Sequence, residues 1–138
     1  MISRELAAAL QRAGLEWTPR SGDRFSLHNA AFDGDVFTLA EMTIETQGPP
    51  DNRVLGFNGT TEWALDSVEF ADTLWLPRED QLREQLGEVF ERLERTESGY
   101  SVIIALPERI PEPIPADSVA DAYALALLAK LNAQRASD

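Results

Sequence analysis

The chain contains no cysteine. That absence removes disulfide bonds, thiolate catalysis and cysteine-ligated zinc together. Histidine is nearly absent as well. His28 is the only one, so any imidazole chemistry must pass through it. No stretch approaches the roughly 18 continuous apolar residues of a membrane-spanning helix. The opening MISRELAAALQRAG has no long apolar run behind a basic end, so no secretory leader is expected. Basic residues are scarce: 12 Lys and Arg stand against 24 Asp and Glu, a net charge of -12. A cationic groove for nucleic acid is not expected from that balance, and an anionic membrane surface would repel it. The expectation is a soluble cytoplasmic protein with neither nucleic acid nor membrane as partner.

What is present fits one domain. The chain has 138 residues, 43% of them hydrophobic, enough for one core, and residues 1–138 read as a single α+β domain. The charge is uneven. Residues 25–77 carry nine acidic groups against Arg53 alone, so this middle segment supplies -8 of the -12.

Three segments carry helix signals. In the first, Ser3 is placed to cap, Leu6, Ala7, Leu10 and Ala13 share a face, and Gly14 can end it. In the second, Pro77 suits a helix start, and Glu79 and Asp80 suit the positive end of the dipole. Leu82, Leu86, Val89, Phe90 and Leu93 then form an apolar stripe, with Gly87 inside it. In the third, Ser118 and Asp121 form a variant of the capping box. Val119, Ala122, Tyr123, Leu125, Ala126, Leu128 and Leu131 give this helix the widest apolar band of the three.

Between the first two helices the period shortens to two. RFSL reads as a brief strand. VFTLAEMTIET reads as a strand bent near Ala40–Glu41, so that Phe37, Leu39, Met42 and Ile44 all face the core. RVLGF and TLWL are further strand candidates. YSVIIAL is a continuous β-branched run of the kind found in a central strand covered on both faces. PERIPEPIP, with prolines at 107, 111, 113 and 115, reads as a stiff extended connector. The expected fold is therefore α+β: an antiparallel or mixed sheet of about five strands packed by three helices, in the order α-β(3-4)-α-β-α. Pairing of two copies through a sheet edge is compatible with that content, and the oligomeric state is left open.

GFNGTTEWALD, residues 56–66, has two readings. Asn58-Gly59 can form a type I′ hairpin turn, which would set Gly56 opposite Thr61 and Val54 opposite Trp63. Alternatively a helix starts at Thr60 or Thr61, with Ala64, Leu65 and Val68 inward. Asn58-Gly59-Thr60 fits a glycosylation sequon, but that modification requires export. No Lys follows Gly59, so the stretch is not a phosphate loop.

The candidates for chemistry are few. His28 with Asp33 or Asp35 could act as a base oriented by a carboxylate, although such residues also build surface turns. FDGDVF holds a D-x-D fragment of calcium-loop chemistry without the rest of the ligand set. Glu84, Glu88 and Glu91 would line one side of the second helix, interspersed with Arg83, Arg92 and Arg95, as a solvated face does. No metal site and no cofactor are expected. Trp17, Trp63 and Trp75 are core or core-edge types. If Trp63 and Trp75 line a groove beside Glu62 and Asp66, they would bind a basic protein or peptide.

Four blocks resemble a family of small uncharacterised bacterial and phage-associated proteins. They are ELAAALQRAGLEW-x-P, the helix start WLPREDQL, the strand start GYSV and the last helix DAYALALLAKL. The likeness spans most of the length. VLGFNGTTEWALDSVE resembles a narrower actinobacterial subset, some members of which carry the name of a pilus assembly protein. The resemblance implies this segment order and a single domain, and it supplies no catalytic residue. Three functional expectations follow. The first is a non-catalytic acidic interaction module. The second is a small hydrolase or small-molecule binder using His28 with Asp33 or Asp35. The third is an acidic decoy that imitates nucleic acid.

Overall fold

The structure is a computed structural model of the chain and describes residues 1–28, 35–39, 43–47, 54–57, 67–69 and 72–137. Its elements in order are α1 (Arg4–Arg12), β1 (Arg24–Leu27), β2 (Phe37–Thr38), β3 (Thr43–Gln47), β4 (Val54–Phe57), β5 (Ser67–Glu69), β6 (Thr73–Trp75), α2 (Glu79–Leu86), β7 (Phe90–Arg95), β8 (Tyr100–Ile104), β9 (Glu112–Ala116) and α3 (Val119–Ser137). The fold is α+β. Among the described residues the strands form three three-stranded antiparallel sheets, ordered β2-β1-β6, β3-β4-β5 and β7-β8-β9, rather than one sheet of five. The chain divides into two compact units: Met1–Glu16 with Pro77–Asp138, which holds α1, α2 and α3, and Trp17–Leu76.

In the helical unit the caps set the boundaries. Ser3 Oγ accepts the Leu6 N–H at 3.2 Å and starts α1, whose Ala7 and Leu10 are buried. Gln81 Oε1 accepts the Arg78 N–H at 2.9 Å at the start of α2. The expected apolar stripe then breaks. Gly87 adopts φ +58, the chain makes one 3₁₀ turn over Gly87–Val89, and Phe90–Arg95 becomes strand β7. Val89, Phe90 and Leu93 fit a helical period, but a left-handed residue ends the helix before they are reached. Glu84, Glu88 and Glu91 consequently do not share a helix face.

β8 is the middle strand of its sheet, and Ser101–Ile104 are all buried. The proline-rich segment expected as a connector supplies edge strand β9, with Pro113 opposite Ile103 and Pro115 opposite Ser101. Proline has the extended backbone a strand needs and is tolerated where its nitrogen faces the free edge. α3 packs against α1, α2, β8 and β9 and buries Ala120, Ala122, Tyr123, Ala124, Ala126 and Leu127. Ser118 Oγ accepts the Asp121 N–H at 3.2 Å, while Asp121 Oδ1 accepts the Ser3 N–H at 3.1 Å and ties the start of α1 to the start of α3. Lys130 Nζ donates to the Gln85 and Leu86 carbonyls, at 2.7 and 3.2 Å, closing the end of α2.

In the unit of residues 17–76, two expectations change. VFTLAEMTIET is not one bent strand: Phe37–Thr38 pair with β1, whereas Thr43–Gln47 pair with β4 in a different sheet. The expected pairing of Gly56 with Thr61 and of Val54 with Trp63 is also replaced. Gly56 stands opposite Ser67, Leu55 opposite Val68 and Val54 opposite Glu69. The link from β4 to β5 is therefore nine residues, 58–66, which lie outside the described residues, as does the helix reading from Thr60.

Candidate functional site

The sheet β2-β1-β6 is built on an aromatic cluster. Trp17, Phe25, Leu27 and Leu39 are buried together, with Phe37 and Trp75 packed against them. The Trp17 ring lies 5.4 Å from Phe25 and 6.5 Å from Trp75, stacked on the latter at 12°. Phe37 continues the series, 5.6 Å from Phe25. Trp17 is fixed by a residue that sequence reasoning missed. Asp23, 2% exposed, accepts the Trp17 indole N–H at 2.9 Å and the Arg20 backbone N–H at 3.0 Å through Oδ2. The Asp23 carbonyl accepts the Leu39 N–H, and Gly22 N–H donates to the Leu39 carbonyl. The turn-forming composition of RSGD was the available signal, because such a turn lets an aspartate fold back on its own backbone.

Trp75 occupies the edge strand β6 and is half-buried against this cluster. Its indole nitrogen is buried and has no hydrogen-bond partner among the described residues. The expected binding residue thus belongs mainly to the core, with one edge at the surface. Trp63, Glu62, Asp66 and Asp33 lie outside the described residues.

His28 immediately follows β1, the middle strand, and is exposed. Its backbone N–H donates to the Asp72 carbonyl at 2.8 Å. Antiparallel pairing brings three ends together: His28 after β1, exposed Asp35 just before β2 and exposed Asp72 just before β6. A sequence reader pairs His28 with Asp33 or Asp35. Asp72 is added only by the long-range pairing of β1 with β6, which local patterning does not encode. Among the described residues no three His, Asp or Glu side chains converge as a metal site. The chemistry this arrangement offers is a solvated, acidic rim that can pair with cationic side chains. The nucleic-acid-imitating reading needs the carboxylates of residues 33–72 on one face, and most of them lie outside the described residues.

Among the described residues no helix is long and apolar enough to cross a membrane. Comparison with protein-family models, with curated proteins and with solved structures finds no match for this chain.

Proposed function

We propose that the protein is a non-catalytic cytoplasmic interaction module whose acidic middle segment docks a basic protein or peptide. The observation that carries this reading is the division of labour within residues 25–77. Its carboxylates outnumber its single arginine nine to one. Asp35 and Asp72 are exposed beside His28, while Phe25, Phe37 and Trp75 are committed to packing around Trp17. Exposed carboxylates anchored at the ends of paired strands cost little conformational entropy to present, so each can contribute to a docking surface.

Titration calorimetry with a Lys- and Arg-rich peptide tests the proposal, with a Glu-rich peptide of equal length as control. Saturable binding of the basic peptide alone is expected. The double variant D35N/D72N should weaken it several-fold, at about 0.2–1 kcal/mol per exposed pair. Equal affinity for the two peptides would remove the proposal.

A further inference from the structure

The two edges of the sheet β7-β8-β9 are unlike. On β9, Pro113 and Pro115 stand opposite Ile103 and Ser101. The hairpin that joins β7 to β8 closes with the Thr96 N–H donating to the Gly99 carbonyl at 2.9 Å. Antiparallel ladders alternate bonded and non-bonded pairs. The pairs Glu94–Ser101 and Arg92–Ile103 are therefore the bonded ones on the β7 side, and Tyr100, Val102 and Ile104 bond toward β9. Pro113 and Pro115 then occupy the outward-facing positions of β9, where a donor is missing and further pairing is blocked. β7 contains no proline. Its outward backbone groups belong to Leu93 and Arg95; the register with β8 shifts between Phe90 and Arg92, so the alternation ends there. Residues 91–95 are all exposed.

We propose that β7 is a self-association edge: two copies of the chain pair through it, antiparallel, with Leu93 of one opposite Leu93 of the other. Charge fixes the occupant and the register. The strand reads Phe-Glu-Arg-Leu-Glu-Arg. Centred on Leu93, the pairing sets Arg92 opposite Glu94, twice by the two-fold symmetry, within the regular part of the strand. A shift to either neighbouring register with the same bonding phase sets Arg92 against Arg92 or Glu94 against Glu94. Parallel pairing sets every charge beside its own copy. Cross-strand like charges destabilise and unlike charges stabilise, so one register is selected. A charged edge ordinarily deters pairing; this one repels other registers and attracts itself.

Two further features fit. Leu93 is 37% exposed, and it lies in register with Val102 and Ile114 on one face of the sheet. Two Leu93 side chains meeting on the symmetry axis would extend that apolar face. The joined sheet would run β9-β8-β7-β7-β8-β9, with a proline-blocked edge at both ends, so that assembly stops at two copies. The exposed Arg92–Glu94 ion pair within each copy, at 2.6 Å, would become part of a four-charge cluster.

Analytical ultracentrifugation of the whole chain tests this. Wild type should rise to twice the monomer mass with concentration. E91R/E94R makes the strand entirely basic and R92E/R95E makes it entirely acidic. Each should weaken association about tenfold or more, with the helical circular-dichroism signal confirming the fold. An equimolar mixture of the two variants restores every pair and should dimerise at least as well as wild type. A wild type that stays monomeric throughout, variants that associate as before, or a mixture that fails to dimerise would each overturn the proposal.

Discussion

Replacement of Asp23 by alanine is the sharpest probe of the aromatic cluster. The carboxylate oxygen accepts two N–H groups, from the Trp17 indole and from the Arg20 backbone. Trp17 is buried, so its donor loses its partner without gaining water, a penalty of about 1–3 kcal/mol. Arg20 is exposed, so its amide can turn to solvent at a smaller cost of about 0.5–1.5 kcal/mol. D23A should therefore destabilise the unit of residues 17–76 by about 2–4 kcal/mol. D23N keeps an acceptor oxygen in place and loses only the charge assistance, about 1 kcal/mol. The assay is selective by composition. Trp17, Trp63 and Trp75 all fall within 17–76, so tryptophan fluorescence during urea unfolding reports that unit. Its midpoint should fall by about 1–2 M urea for D23A, given slopes near 1–3 kcal/mol/M. The helical circular dichroism arises in the other unit and serves as the folding control. A D23A midpoint equal to wild type would refute the anchoring role. Equal losses in D23A and D23N would mean that charge, rather than the acceptor, holds the turn.

Other substitutions read other parts of the chain. A Cβ at Gly87 meets nothing within 4 Å, so G87A should cost only its left-handed backbone, about 1–2 kcal/mol. At Gly99 a Cβ would run into the Ala116 carbonyl oxygen and the Asp117 Cα, both backbone, so G99A should lower the thermal midpoint of the helical signal more than G87A does. K130M removes the ammonium that donates to the last carbonyls of α2 and should cost about 0.5–1.5 kcal/mol by chemical denaturation. Burial foremost, opposed by nearby Arg83 and supported by Glu79, holds the Tyr123 phenol above its ordinary value of 10.0. The neutral phenol is thus favoured in the folded state. Its contribution is complete below the unfolded value and is lost as pH rises through the folded one. Helical stability should fall above about pH 10, and Y123F should remove that loss; an identical alkaline profile in Y123F would contradict the assignment.

Local signals served where they agreed with the tertiary context. Ser3, Ser118 and the band from Ala122 to Ala126 marked α1 and α3 because caps and a helical period depend on neighbours within a few residues. YSVIIAL marked β8 because a run buried on both faces leaves no alternation to misread. The end of α2 was ambiguous. Leu82 to Leu93 keeps a helical period, and Phe90–Arg95 also suits a strand edge; pairing with β8, remote from any local rule, decided between them. The Asn58-Gly59 dipeptide was the strongest local hairpin signal in the chain, yet the partners it implied for Val54 and Gly56 are taken by Glu69 and Ser67, which no local turn rule encodes. At the rim, His28 and Asp35 were legible as a polar cluster. Asp72 was not, since only the pairing of Leu27 with Thr73 brings it alongside.

The acidic docking surface is tested most directly by the ionic-strength dependence of basic-peptide affinity, measured for wild type and for D35N/D72N. The account predicts that wild-type affinity falls steeply as salt rises from about 0.01 to 0.15 M, where the screening length shortens from about 30 to 8 Å. It also predicts a shallower slope for the double variant. An affinity that is indifferent to salt, or slopes that coincide, would contradict it.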